Sequence, residues 1–409
     1  MTPHSRILAA ALACALLAAT GAAARTDERA ADPGVTSNTI LIGGTVPLSG
    51  IASSFAAVGP GAQAYFKYVN ARGGVHGRKI DYRFYDDGYD PSRTVEMTRK
   101  LVGQDRVFAI FNSVGTANNL AIQPFLNAVK VPHLFAGDGS SALHQPRRYP
   151  WTMGFLPSYR GEGAVYGRAV VQRKRRARVA VLYENTDFGK DLLRGFEGAV
   201  RGKGPRVVGR RPYEFTDADV ASKIAGLKSS GADTLMLFAT PTFTIQAFIA
   251  AHKLRWRPQV YVTSVSIEPT IMAIARGAAP ELTRGALSTA FVKNPNDPIW
   301  KNDRATKLYR EIMRRYHPSG TPSNVYNWYG MTVAWTMTET LRRAGRNLTR
   351  AGLLRAAQSL DLRGNPFLLP GIRLRTSRSY YFPIRQVYLY RYDNRQWVRA
   401  SRLVDARLG

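Results

Sequence analysis

The chain has 409 residues, of which 45% are hydrophobic and 21% are charged. This length and composition predict two folded domains and exclude a disordered or collagen-like chain. The single cysteine, Cys14, excludes a disulfide framework within the chain and a zinc site built from several thiolates. The 58 Lys and Arg residues against 28 Asp and Glu give a net charge of +30, which favours anionic partners without specifying a fold.

The densest basic run covers residues 173–178, directly before an apolar segment at 179–183. Such a run is typical of a solvated helix end that leads into a strand. No zinc-finger spacing, leucine-zipper heptad or RNA-binding aromatic motif accompanies it. We therefore expect no nucleic acid among the partners.

The N-terminus has the parts of a secretory signal peptide. Arg6 precedes an apolar run at 7–19, and three alanines end at Ala24. We expect a signal peptide over 1–24, cleaved after Ala24, because the apolar run is too short to span a bilayer. Residues 11–13 form a poor lipobox, so no lipid anchor is expected at Cys14. These features predict an exported, periplasmic protein.

Strand and helix patterns then alternate along the chain. Ile80, Tyr82 and Phe84 alternate as in a strand, and Asp90 before Pro91 is typical of a helix start. Strands are predicted over 40–46, 80–84, 106–111, 131–135, 178–183, 206–209, 234–238, 259–263 and 386–390. Helices are predicted over 62–70, 91–103, 122–129, 163–172, 190–201, 219–229, 243–252, 300–316, 324–344 and 349–360.

This alternation predicts an α/β fold with parallel sheets, because strands separated by helical segments form βαβ units. The units are too many for one compact sheet, so we expect two doubly wound lobes. No Pro/Gly/Ser-rich linker separates them. Short crossovers within one folded unit are therefore favoured over independent domains.

Two predicted strands end in polar loops, where open parallel sheets bind ligands. The strand at 106–111 leads through Ser113 to Thr116 at a helix start. Backbone N–H groups, two hydroxyls and the helix dipole suit a carboxylate there. The alternative is that Ser113 or Thr116 simply caps the helix.

The strand at 131–135 ends in a second loop, Ala-Gly-Asp-Gly-Ser-Ser at 136–141. Gly137 and Gly139 would let the backbone approach a ligand closely. A tight loop in which Asp138 or Ser140 serves as a cap is the alternative.

Catalytic patterns are weaker. The glycines at 59–61 imitate a dinucleotide-binding motif but follow the strand too late for its tight turn. The six histidines never fall at metal-ligand spacing, and a lone histidine such as His133 is more often structural. A nucleophile elbow and a P-loop are both missing. We expect neither an enzyme nor a cofactor or metal site.

Several motifs occur in a regular order: Pro-Leu-Ser-Gly at 47–50, Gly-Gly-Val at 73–75, Asp-Asp at 86–87, Asn-Thr-Asp-Phe-Gly at 185–189 and Leu-Pro-Gly-Ile at 369–372. With them, the chain from about 38 to 398 resembles the periplasmic solute-binding proteins of ABC transporters, of the leucine/isoleucine/valine-binding type. The resemblance implies a type I periplasmic-binding fold, with two doubly wound parallel-sheet lobes joined by three crossovers. We expect lobe 1 over 35–157 and 288–372, and lobe 2 over 158–287 and 373–409.

The resemblance also implies a function. The lobes of these proteins close on a small solute, and the closed form docks on the permease subunits of an ABC importer. We expect this role for a monomeric chain. A secreted sensor of the same fold, which presents its solute to a membrane receptor, is the alternative.

The family's ligand-binding positions carry over to this sequence with departures. They correspond to Phe55, Ser113, Gly137, Gly139, Phe188, Thr240, Ser264 and Tyr326. The expected ligand-binding set is completed by residues of the same two loops, Thr116, Asp138 and Ser140. Gly139 stands where the family usually has Thr or Ser, for which Ser140 could substitute. Phe188 lacks the hydroxyl of the family's tyrosine, and Ser264 stands where the family has the acidic partner of the ligand ammonium.

The change at Ser264 bears on the solute. A buried ammonium without a carboxylate partner costs on the order of several kcal/mol. We therefore expect a carboxylate-bearing, rather apolar or aromatic solute. An α-amino acid is expected only if Asp138 supplies the missing charge.

Overall fold

The structure is a computed structural model that describes residues 32–407. The predicted signal peptide, with Cys14, lies outside the described residues. The strands are β1 (Thr39–Val46), β2 (Lys79–Asp86), β3 (Ala109–Phe111), β4 (His133–Ala136), β5 (Thr152–Gly154), β6 (Arg178–Glu184), β7 (Arg206–Tyr213), β8 (Thr234–Phe238), β9 (Gln259–Val262), β10 (Leu287–Ala290), β11 (Asp361–Leu362), β12 (Leu374–Arg375), β13 (Gln386–Tyr392), β14 (Trp397–Arg399) and β15 (Val404–Asp405).

Helices connect most of these strands. They are α1 (Val58–Asn70), α2 (Pro91–Gly103), α3 (Thr116–Ala128), α4 (Tyr159–Arg173), α5 (Asp187–Val200), α6 (Ala221–Ser229), α7 (Pro241–Lys253), α8 (Pro269–Ala278), α9 (Pro280–Thr283), α10 (Arg304–Tyr316), α11 (Val325–Ala344) and α12 (Arg350–Ala357). Helix α2 begins as predicted, because the Asp90 carboxylate accepts hydrogen bonds from the N–H groups of Ser92 and Arg93 at 2.7 and 3.0 Å.

The first sheet has five parallel strands in the order β2-β1-β3-β4-β5. Strands β3 and β4 are buried along their whole length, as is typical of parallel strands covered by helices on both faces. Helices α1 and α11 pack against each other beside this sheet.

The second sheet has eight strands, in the order β14-β13-β10-β9-β8-β6-β7 with β15 beside β13. Strands β6 to β10 run parallel, whereas β13 is antiparallel to β10 and carries β14 and β15 as antiparallel neighbours. The predicted parallel arrangement is therefore completed by an antiparallel edge from the C-terminal part of the chain.

Each sheet with its helices forms one lobe, which confirms the prediction of two α/β lobes. The chain passes between them after β5, after β10 and between β12 and β13, which gives the three expected crossovers. The second and third crossings differ from the expected bounds. All of β10 belongs to the second sheet, so the return to lobe 1 follows Ala290, and β12 pairs with β11, so the last crossing follows Arg375.

Helices α8 and α9 were not predicted from the sequence. Pro269 and Pro280 each begin one of them, a position where the missing N–H of proline costs no hydrogen bond. Across residues 32–407, the helices are all too short or too polar to cross a lipid bilayer.

Candidate functional site

A cleft lies between the two lobes, with an empty volume of about 1200 Å³ including its open mouth. The loops that follow β3, β4, β8 and β9 contribute to its lining, together with the first turns of α5 and α11. These loops are the carboxyl ends of parallel strands, where α/β sheets bind their ligands. Seven of the predicted positions line this cleft: Phe55, Thr116, Gly137, Phe188, Thr240, Ser264 and Tyr326.

The start of helix α3 forms the lobe-1 wall of the cleft. Gly115 and Thr116 line it, and the helix has no side-chain cap, so neither Ser113 nor Thr116 has the capping role considered above. The first N–H groups of an uncapped helix lack intrahelical acceptors, and they form the positive end of the helix dipole.

Gly115 allows the backbone at the start of α3 to lie at the cleft surface. Its φ of 105° lies in the region that favours glycine, and an added Cβ would lie 2.5 Å from Oδ1 of Asn118 and 2.7 Å from the Tyr89 ring. A larger residue would therefore have to displace the cleft wall.

Ser113 is fully buried outside the cleft lining. Its Oγ accepts a hydrogen bond from the Thr45 N–H at 3.2 Å, and its carbonyl accepts one from the Gly137 N–H at 2.8 Å. These bonds join the ends of β1, β3 and β4. The structure therefore places Ser113 as a support of the cleft wall and leaves Thr116 as the hydroxyl at its surface.

The second predicted loop turns most of its side chains away from the cleft. Asp138 is fully buried and accepts a hydrogen bond from the Ser140 N–H at 2.7 Å, while Ser140 caps the following 3₁₀ turn through the Ala142 N–H at 3.1 Å. Gly139 has no room for a side chain, because an added Cβ would lie 2.2 Å from the Pro157 carbonyl. A side chain at Gly139 would therefore have to displace the Pro157 backbone.

Asp138 is nevertheless electrostatically unusual. Burial raises the pKa of its carboxyl to about 7, although the Ser140 N–H and the Thr116 hydroxyl favour the ionised form. Because the side chain does not line the cleft, the structure offers no contact through which it would pair with a solute ammonium.

Aromatic rings cover much of the cleft. The rings of Phe55 and Tyr326 meet edge to face at 5.1 Å, and those of Tyr159 and Phe188 meet at 4.9 Å. All four side chains line the cleft. The predicted apolar cover is thus built from residues of both lobes.

Two tyrosines of the lining were missed from the sequence. Tyr89 and Tyr159 are 7% and 4% exposed, and within residues 32–407 neither hydroxyl has a hydrogen-bond partner. Buried phenols usually have one, so these two are available to a polar ligand group. Neither residue belongs to a polar motif, and only the fold brings them together.

The lobe-2 wall carries Thr240, Ser264 and Glu268. Glu268 was also missed, because it caps α8 and accepts hydrogen bonds from the Thr270 and Ile271 N–H groups at 2.7 and 3.2 Å. Burial raises the pKa of this carboxyl, while the capping N–H groups oppose that change.

The cleft is closed in this structure. Hydrogen bonds cross between the lobes from the Tyr326 hydroxyl to the Val265 carbonyl at 2.8 Å and from the Thr242 hydroxyl to the Ile51 carbonyl at 3.0 Å. The N–H and hydroxyl of Ser141 in lobe 1 also donate to the Asp191 carboxylate in lobe 2, at 2.6 and 2.9 Å. These bonds would break when the lobes separate.

Over residues 32–407, no group of His, Cys, Asp and Glu side chains is arranged to hold a metal ion. His133 lies in the core, where its Nε2 is 3.0 Å from Oδ1 of Asn119 and burial lowers its pKa to about 3. It therefore has the structural role expected of a lone histidine.

Two α/β lobes that close on a cleft of this composition define a solute-binding protein. The sequence profile of the periplasmic binding protein family matches residues 39–396, so the chain belongs to that family. This finding confirms the resemblance seen in the sequence and the expectation that the chain is not an enzyme. Membership in this family also indicates an extracytoplasmic location.

Individual proteins agree with this assignment. Leu/Ile/Val-binding protein homolog 7 of Brucella abortus (strain 2308) is 22% identical over 321 residues, which cover 74% of this chain and 76% of the relative. A branched-chain amino acid ABC transporter structure from Thermus thermophilus with bound valine superposes with a TM-score of 0.81 at 17% identity, covering 91% of this chain and 97% of that one.

A fatty acid ABC transporter substrate-binding protein from Thermomonospora curvata superposes with a TM-score of 0.77 at 22% identity, covering 92% of this chain and 94% of that one. The two structural neighbours carry different ligand names on the same type I periplasmic-binding fold. The fold is therefore established, and the solute has to be argued from the cleft.

Proposed function

We propose that this protein is the solute-binding subunit of an ABC importer and captures a small carboxylate-bearing, largely apolar solute by closure of its two lobes. The observation that carries the proposal is the closed cleft, in which aromatic rings surround the uncapped start of helix α3.

The carboxylate is assigned to the lobe-1 wall. The first N–H groups of α3 and the hydroxyl of Thr116 supply hydrogen-bond donors, and the positive end of the helix dipole favours an anion. The free hydroxyls of Tyr89 and Tyr159 can donate to the same group. Lys293, a cation in the cleft lining, is already bound to both oxygens of Asp303 at 3.0 Å.

The apolar part of the solute is assigned to the space between Phe55, Phe188 and Tyr326. Burial of an aliphatic or aromatic side chain there contributes about 25 cal/mol per Å² of apolar surface. Because both lobes supply rings, the solute binds the closed form better than the open form and shifts the equilibrium toward closure.

The importer role rests on the family and on this closure. A permease that binds only the closed form would distinguish loaded from empty protein by the relative position of the two lobes. The Leu/Ile/Val-binding relatives and the fatty acid and branched-chain amino acid ABC neighbours support a transported acid of this kind.

A calorimetric titration of the chain from Arg25 with branched-chain and aromatic amino acids, and with their amine-free analogues, tests the solute class. Tyr159→Phe removes one free hydroxyl and should weaken binding of the acid about tenfold, the effect of one hydrogen bond to a charged group. Tyr68→Phe, which lies outside the cleft lining, is the matched control and should leave the affinity unchanged.

Two results would contradict the proposal. If amides of the same acids bind as tightly as the acids, the cleft does not recognise a carboxylate. If the protein binds an acid but deletion of its gene leaves the source organism's uptake of that acid unchanged, the importer role is wrong.

A further inference from the structure

Glu162 is a buried carboxylate directly behind the lobe-2 wall and belongs to none of the sequence motifs named above. It lies in the first turn of α4 and is 1% exposed. Its Oε1 accepts hydrogen bonds from the Tyr166 hydroxyl at 2.6 Å, the Thr263 hydroxyl at 3.1 Å and the Ser264 N–H at 2.7 Å. Its Oε2 accepts one from the Ser264 hydroxyl at 2.9 Å.

These bonds fix the direction of the Ser264 hydroxyl. A carboxylate surrounded by four donors acts only as an acceptor, so Ser264 must donate its single proton toward Glu162. The lone pairs of Ser264 Oγ then remain for the cleft, which this residue lines. Ser264 can accept a hydrogen bond from a solute but cannot donate one.

Neighbouring groups have the same polarity. The Tyr326 hydroxyl donates its proton to the Val265 carbonyl and presents only lone pairs, and the Glu268 carboxylate also lines the cleft. This part of the wall, formed by Ser264, Glu268 and Tyr326, is called the acceptor wall below.

We propose that the acceptor wall requires a hydrogen-bond donor, an amine or a hydroxyl, on the solute, and that Glu162 sets this requirement as a positioning residue acting through Ser264. The inference rests on the proposed function and narrows its solute class. A carboxylic acid without such a donor would leave the lone pairs of Ser264 desolvated and unpaired, which buried polar groups tolerate poorly.

Matched ligands test this requirement. Leucine, 2-hydroxy-4-methylpentanoate and 4-methylpentanoate differ only in the group next to the carboxylate, and phenylalanine, 3-phenyllactate and 3-phenylpropanoate form a second set. Calorimetric titration should show that, in at least one set, a donor-bearing acid binds at least about tenfold more tightly than the acid without a donor.

Two variants separate positioning from simple structural support. Ser264→Ala removes the acceptor and should reduce the preference for the donor-bearing acid to about threefold or less. In Glu162→Gln the side-chain amide can donate to Ser264 Oγ and release the serine proton, so the preference should shrink or reverse. Thr263→Val is the matched control, because it removes one hydrogen bond of Glu162 but leaves the Ser264 bond and should leave the preference unchanged.

The outcomes distinguish this inference from the proposed function. If the acid without a donor binds as tightly as its partners, or if Ser264→Ala keeps the full preference, the acceptor requirement is overturned while a carboxylate solute still stands. If none of the six acids binds, the carboxylate function fails, and the inference fails with it. Thermal melts of each variant check its folding. If Glu162→Gln does not fold, Ser264→Ala carries the test alone.

Discussion

The two walls of the cleft present opposite hydrogen-bonding character. On lobe 1, the start of α3 faces the cleft with donor groups and the positive end of a helix dipole. On lobe 2, hydroxyls that line the cleft direct their protons away from it, into the lobe. The Ser264 hydroxyl donates to Glu162. The Thr240 hydroxyl lies 3.1 Å from the Tyr213 hydroxyl, which itself donates to Glu184 at 3.1 Å, so Thr240 is the donor of that pair.

This difference has a consequence for closure. A solute with an acceptor at one end and a donor at the other satisfies both walls only when the lobes have closed on it. Binding to one wall alone leaves the other solvated, so the solute's second polar group adds to the differential affinity that the rings of both lobes provide for closure. The two walls can therefore be tested separately.

A large effect on the pH dependence of stability is expected at Glu184, the carboxylate behind Thr240 on lobe 2. Burial raises its pKa from 4.5 to about 7, against the hydrogen bonds from Thr186 and Tyr213. Below pH 4.5 the folded and unfolded states are both protonated. Between pH 4.5 and 7 only the folded state holds the proton, so the free energy of unfolding falls as the pH rises.

Glu184→Gln should remove this part of the pH dependence. At pH 8 we expect the wild type to have lost on the order of 3 kcal/mol relative to pH 4.5 through this group, at 1.36 kcal/mol per pKa unit. Urea unfolding of the ligand-free chain at several pH values measures the slope. Exposed Glu96→Gln is the control, and an unchanged slope in Glu184→Gln would show that this carboxyl is ionised throughout.

A smaller effect is expected at Gly115, which shapes the lobe-1 wall of the cleft at the start of α3, called the donor wall below. Gly115→Ala should lower the free energy of unfolding by about 2 kcal/mol, because alanine is strained at a φ of 105° and its Cβ would meet Asn118 and Tyr89. Solute affinity should fall as well, since the start of α3 must shift.

Gly103→Ala provides the comparison for this glycine. Gly103 ends α2 with no neighbouring atom within 4 Å of an added Cβ, and alanine there should be tolerated. Equal urea midpoints for Gly115→Ala and the wild type would mean that the donor wall does not depend on the glycine conformation.

The fold could be predicted from the sequence because the signals for its helices and strands are local and periodic. Asp90 before Pro91 gave the start of α2, and the apolar run at 234–238 coincides with β8. The same reasoning found Thr116, Phe55 and Ser264 in the cleft, since strand ends and family motifs mark them.

The remaining site residues carried no local signal. Glu162 lies on a helix about a hundred positions from Ser264, and only the packing of α4 behind β9 brings its carboxylate to the wall. Tyr89 looks like one of many tyrosines until the fold leaves its hydroxyl unpaired in the cleft. Ser113 likewise lies at the predicted strand end, but its hydroxyl accepts the Thr45 N–H and does not reach the cleft, a side-chain direction that the sequence does not reveal.

The smallest expected effect on solute affinity is at Asp138, and it tests whether the lobe-1 wall contains an acceptor of its own. Asp138→Asn should change solute affinity by less than about twofold, because a fully buried side chain outside the lining makes no contact with the solute. Its pKa of about 7 means that the same substitution should reduce the pH dependence of unfolding. Calorimetric titration with an amino acid and with its amine-free analogue separates the two roles. A tenfold loss for the amino acid alone would assign the solute ammonium to Asp138, and the walls would then no longer divide into donors and acceptors.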